Sequence, residues 1–426
     1  MSAGSPMELF ALSMGLAALL GGSFVWLAMD GKKSNLSLRM TLLQLGLLFS
    51  VNCLIFTIYV IQYSSLSENF SVEVLNALQG ASSTLNLFTV VQISILLLIF
   101  PAPAFASRKK LLLSFIVVLS IPIIVMFANS EAFVVTYWFA SGWVISQGLM
   151  IGLISLIPLR WYILYRDSDE EILRNQAIAA ALMLLALYGG NMTKWPIVLY
   201  LGGADLMFQG ITGISVDRSL FLLIVTHAGH LVCIVGLFTI IWKEVMAEFG
   251  KRDKAMTAII FAYFIYGLVN LMVIKVSENG SEFRQVWDFF ALIGMFGLIR
   301  PILIIYIALR FNLFDMSNPQ IRGRIRIIAL LLATVWTSSL FEIIQAFLPM
   351  PQLISAAMIG VMLAFVIGWE DTIFETLSSG SEEVSLYLVD DLFVEEDLFR
   401  LTMSTVCIVV ITIIIGLALG GGGFVI

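Results

Sequence analysis

The chain alternates between long apolar runs and short polar breaks along its length. Each run measures roughly 17 to 25 residues, the length an α-helix needs to cross ~30 Å of hydrocarbon. Twelve runs are predicted as helices: Met7 to Met29, Met40 to Tyr63, Ser82 to Phe100, Leu111 to Ala128, Phe133 to Leu159, Gln176 to Gly190, Ser219 to Trp242, Ala255 to Val276, Asp288 to Leu309, Ile327 to Phe347, Leu353 to Trp369 and Thr402 to Leu419. The sixth and eleventh are the shortest.

The breaks carry helix-end chemistry. "PAPAF" at Pro101 to Phe105 stops the third run, because proline lacks a donor and restricts the residue before it. Ser168 and Glu171 form a capping box that starts the sixth helix in its loop, with a Glu170 to Arg174 pair one turn apart. The break from Asn191 to Arg218 is half apolar and glycine-rich, and is read as folding back over the bundle. No internal repeat is evident, and no break exceeds about 35 residues, too short for a soluble domain of ~50.

Composition turns this pattern into a class. With 60% hydrophobic and 12% charged residues, and a mean hydropathy of +1.00, the chain lies outside the range of soluble globular proteins. An all-α polytopic membrane bundle of about 12 transmembrane helices is expected. Charge orients it. With both termini outside, all but five of the 23 lysines and arginines fall in inner loops. Lys194, Arg218, Lys275 and Arg284 lie outside, and Arg300 lies within the membrane. That bias supports an even number of spans with both termini outside, and the plasma (cytoplasmic) membrane is the expected location. The first run lacks a basic leader and is followed by Lys32 and Lys33, as in an anchor and not a cleaved signal.

Cys53, Cys233 and Cys407 all fall inside predicted spans, which argues against a disulfide framework or a thiolate metal cluster. No cofactor and no metal is implied. Much of the net charge of −6 comes from Glu370 to Arg400, a stretch with ten carboxylates and one arginine, predicted as an acidic inner loop. Its carboxylates Glu395, Glu396 and Asp397 are a candidate docking surface for a basic partner or for the chain's own basic loops. The nearest complement in sequence is "NPQIRGRIR", with Arg322, Arg324 and Arg326.

Arg300 is the most informative intramembrane residue. Counted from Asp288 it lies about 18 Å down its helix, where a charge costs at least ~2.5 kcal/mol and must face other helices, a cavity or an acid. Gly294 and Gly297 precede it on one face and Pro301 follows. Two readings stand: a packing element hydrogen-bonded to carbonyls, or the lining of a ligand cavity. Asn52, Gln92, His227 and His230 reach depths of roughly 12 to 18 Å. Glu342, about 7 Å in, is the only oppositely charged intramembrane partner for Arg300.

"THAGH" at Thr226 to His230 holds both histidines of the chain, three apart on one helix face. That spacing suits hydrogen-bonding histidines, a proton or ligand sensor, or two adjacent metal ligands, but no carboxylate or cysteine on the helix completes a metal site. Phosphate loops, kinase catalytic loops and nucleophile elbows do not occur. Integral-membrane enzyme chemistry therefore finds no catalytic residues.

"RPILIIYIALRFNLFDM" resembles the close of the N-terminal seven-transmembrane region of certain histidine kinases, through Tyr306, Ala308, Leu309, Arg310, Leu313, Phe314 and Asp315. The resemblance implies a membrane-embedded sensor module over about residues 82–316, with Arg310 and Asp315 marking the exit to the cytoplasm. Around it lie two additional N-terminal helices (1–81), a two-helix hairpin (317–369), the acidic loop (370–401) and a C-terminal helix (402–426). No histidine follows His230, so no kinase phospho-acceptor is present. The expectation is a sensor or receptor-like membrane protein that contacts membrane lipid and acts through a cytoplasmic signalling protein, with no nucleic-acid partner. The alternative is a transporter or permease of a small molecule, which mid-membrane polar residues suit but the absence of repeats does not.

Overall fold

The computed structural model describes residues 6–30, 36–128, 135–189, 220–248, 254–276, 300–311 and 392–421, with short pieces between 322 and 368. Its ordered elements are helical: α1 (Pro6–Asp30), α2 (Leu36–Tyr63), α3 (Val72–Ile99), α4 (Arg108–Ala128), α5 (Val135–Ser168), α6 (Glu171–Gly189), α7 (Leu220–Glu248), α8 (Lys254–Val276), α9 (Arg300–Arg310) and α10 (Glu395–Gly421). Among the described residues, six helices are long and apolar enough to cross a membrane. The protein is an all-helical membrane protein. The tenth and eleventh predicted spans, Glu342 among them, lie largely outside the described residues, as does the return from Asn191 to Arg218.

Two helices are buried around most of their circumference, and each organises its neighbours. The first is α3, covered by α2, α5 and α10 with α4 against its end. It begins at Val72, well before the predicted Ser82, because Ser71 caps it by accepting from the Val74 amide. It stops at the prolines as expected, with Phe100 fully buried and a cis peptide bond joining it to Pro101. The second is α6. Every residue from Ala177 to Leu184 is at least 98% buried, so the shortest predicted span is an interior helix, apolar all round because no side of it meets lipid.

The capping-box expectation needs correction at the α5–α6 corner. Ser168 ends α5, where its hydroxyl donates to the Leu164 carbonyl and accepts from the Glu170 amide. Asp169 turns the chain in the left-handed region at φ 57°. The Glu170 to Arg174 pair does not form. Arg174 instead bonds Glu244 of α7 and lies 3.9 Å from Glu171, since a carboxylate with only 6% of its side chain exposed demands a cation more strongly than a solvated one does.

Small residues set the helix crossings. Side chains added at Gly152 of α5 and Gly229 of α7 would run into each other's helix backbone, so α5 and α7 touch main chain to main chain. Gly416 of α10 sits equally close to Gly80 and Ala81 of α3, and the Thr84 hydroxyl donates to the Thr412 carbonyl across that crossing.

Candidate functional site

Arg300, expected at mid-membrane, finds two partners on α6. α6 is described as far as Gly189. Arg300, 6% exposed, donates to the Ala186 carbonyl at 3.3 Å and the Leu187 carbonyl at 2.7 Å. A buried cation thus engages two successive main-chain carbonyls of α6, and Tyr263 of α8 donates to the Leu185 carbonyl one residue earlier at 3.5 Å. This agrees with the packing reading of Arg300, hydrogen-bonded to carbonyls.

Arg310, at the other end of α9, repeats the device at the start of α6. The Glu244 carboxylate is held by Arg174 of α6 and lies 3.7 Å from Arg310, which also donates to the Tyr306 hydroxyl at 2.8 Å. Ten residues of α9 rise about 15 Å and the twelve from Arg174 to Ala186 about 18 Å, so α9 runs alongside α6 and is tied near both of its ends. The two arginines that punctuate "RPILIIYIALR" are the ties. His227 is half-buried and His230 buried on the α7 helix, and the residue between them that does identifiable packing work is Gly229.

Gln92 belongs to a different place. It lines a cavity of about 280 Å³ enclosed by α2, α3, α4 and α10, and it faces there a residue that the reading of the sequence passed over, Gln44 of α2. Both glutamines are 1% exposed. Among the described residues, neither amide oxygen nor amide nitrogen of either one has a hydrogen-bond partner. A buried unmade hydrogen bond costs about 1–3 kcal/mol per group, so four such atoms around one cavity are the strongest polar demand in the described structure. The signal was available in the sequence: Gln44 lies inside a predicted span five residues past the basic "DGKKSNLSLR" break, as Gln92 lies inside another nine residues before "PAPAF". Asn52, counted as a site residue, is half-buried on α2, about 12 Å further along the axis, and does not line the cavity.

The cavity has a charged mouth. Arg108 opens α4, and Asp397 and Arg400 come from the first turns of α10. Arg108 bonds Asp397 at 2.7 Å, Arg400 bonds Glu396 at 3.0 Å and Arg39 bonds Glu395 at 3.3 Å. The three carboxylates predicted on a loop are therefore the first turn of a helix. The reason is local: Asp397 accepts from the Val394 amide at 2.9 Å, the returning half of a capping box, and three acids at a helix N-terminus stabilise its dipole. Their cations are Arg39, Arg400 and Arg108; of the expected complement in "NPQIRGRIR", Arg324 lies outside the described residues. Asp397 is 14% exposed while Glu395 and Glu396 remain 85% and 75% exposed.

These ion pairs, with the Arg160 guanidinium donating to the Ala104 carbonyl, gather the ends of α2, α4, α5 and α10 at one end of the bundle. No protein-family model, curated protein or solved structure matches the chain.

Proposed function

We propose that the chain is a receptor-type protein with twelve spans in the plasma membrane, both termini outside and the basic end of the bundle in the cytoplasm. It takes a ligand in the glutamine cavity and reports occupancy to a cytoplasmic signalling protein through the acidic start of α10. One observation carries this reading: the same cavity is lined by Gln44 and Gln92 in its depth and by Asp397 and Arg400 of α10 at its mouth. A ligand that draws on the glutamines changes what α10 packs against, and α10 presents the exposed carboxylates of Glu395 and Glu396 at that same end. The likeness of "IYIALRFNLFD" to the exit helix of sensor modules points the same way, with Arg310 acting as a tie to Glu244 and not in catalysis.

Receptor and transporter differ in how many sides the cavity faces over time. In a chain whose three native cysteines are serine, Gln92→Cys is expected to react with a membrane-impermeant thiol reagent from the cytoplasmic side alone, in every condition. Cysteines replacing Lys109 and Asn69 report the two sides, the first shielded in intact cells and the second labelled. Reaction of the cysteine at position 92 from both sides makes the protein a transporter and ends the receptor reading.

A further inference from the structure

The glutamine cavity is charged at one end and apolar for most of its length. From the end of the bundle inward it passes the ion-paired Arg108 and Asp397, then the two amides set among apolar side chains such as Met40 and Ile95, then aromatic and aliphatic side chains. Gln44 lies about 12 Å along α2 and Gln92 about 11 Å from the end of α3. Phe88, Leu119 and Ile408 lie deeper, at about 17 to 20 Å from the starts or ends of their helices. We infer that this cavity binds an uncharged single-chain amphiphile, a monoacyl lipid with hydroxyls or an amide as its polar part, admitted from the bilayer between α4 and α10. The inference rests on the reading of the cavity as the ligand seat.

The polar part follows from the lining. A glutamine amide offers a carbonyl acceptor and two N–H donors, and a hydroxyl or an amide satisfies both kinds. A carboxylate or phosphate at that depth lies inward of both lining cations, Arg108 and Arg400, which stand at the mouth beside Asp397 and Glu396. The chain follows from the walls, where Met40, Phe88, Ile95, Phe115 and Ile408 dominate. Access from lipid follows from the packing. α4 lies against α3 and α5, while α10 lies against α3 and α2, so the cavity occupies the cleft where the pairs diverge. Leu112, which lines it, is 49% exposed on that rim. Moving an acyl chain from bilayer to cavity gains little, because lipid tails are as apolar as leucine. The tail therefore determines the route of entry, and the amides determine which molecule stays.

The test uses the full-length protein in nanodiscs and a photoactivatable 1-monooleoylglycerol with a diazirine in its chain. Cross-links are expected on cavity-facing residues of α3, α4 and α10, displaced by unlabelled monooleoylglycerol and at least about tenfold less well by oleate. Gln44→Leu combined with Gln92→Leu should reduce labelling about tenfold or more while thermostability holds or rises, because leucine removes the unpaired amides. Leu119→Trp should diminish labelling by the oleoyl probe and spare an octanoyl one.

Labelling spread evenly over lipid-facing helices, or undiminished in the double leucine variant, overturns the site and leaves a cavity that holds only water. Displacement by oleate as strong as by monooleoylglycerol overturns the uncharged head. Absence of specific binding, with the cysteine at position 92 still reached from one side only, rejects this ligand class and leaves the receptor reading standing.

Discussion

Replacing Gly229 by alanine tests the tightest crossing in the bundle. A methyl group there meets the main chain of Gly148, and backbone cannot move aside as a flexible side chain does. Overpacking of this kind costs about 1–3 kcal/mol. The opposing term is the helix propensity of alanine, worth about 1 kcal/mol over glycine in water. That gain applies weakly here, because α7 stays helical in the bilayer whether or not it packs on α5. Crowding therefore wins. Gly229→Ala is expected to lower the detergent melting temperature by roughly 2–6 °C on the usual conversion for a chain of this size. Gly22→Ala on α1 is the control, since a methyl there meets nothing within 4 Å and should change stability by less than ~0.5 kcal/mol. Both proteins are compared by thermal unfolding followed by size exclusion. If the two substitutions shift the midpoint equally, α5 and α7 do not meet through their glycines and the crossing is misassigned.

The ties at the two ends of α6 make further predictions. Glu244→Gln removes a carboxylate that is only 6% exposed, bonded by Arg174 and 3.7 Å from Arg310, and should destabilise the protein by about 3–5 kcal/mol. Combining it with Arg310→Met should cost clearly less than the sum, and strict additivity in thermal unfolding would exclude the pair. At the mouth of the cavity, Glu395→Gln should cost at most ~1 kcal/mol and lose its effect in high salt, because its carboxylate is 85% exposed. Asp397→Ala should cost more and persist in salt, since it removes both the Arg108 pair and the bond to the Val394 amide; a protease-sensitivity series across ionic strength separates the two.

Helices were legible in the sequence because lipid demands unbroken apolar length, and the observed α1, α2, α4, α7 and α8 lie close to the predicted runs. Arg300 was legible as a residue in need of partners, since a mid-membrane cation has few places to go. Its partners were not, because backbone carbonyls carry no sequence signature. Glutamines show the converse. Depth alone ranked Asn52 with Gln92, but depth does not say which face of α2 meets α3, and Gln44 holds that face. The histidine motif drew attention for its chemistry while the glycine inside it sets the spacing of two helices. Residue type alerted the eye to titratable groups and passed over the smallest side chain, which matters through what it lacks.

The seat of α10 has a consequence for how the protein is made. Its groove on α3 and α2 is complete once Phe100 has been synthesised, yet α10 begins at Glu395. At ~5–20 residues per second the ribosome needs roughly 15–60 s to bridge that interval. For all of that time α3 stands in the bilayer with the small-residue face around Gly80, Ala81 and Thr84 uncovered. Another helix of the nascent chain or a membrane chaperone must occupy it, or lipid must, until α10 arrives to displace the stand-in. The glutamine cavity, having α10 as one wall, comes into being only when α10 is seated.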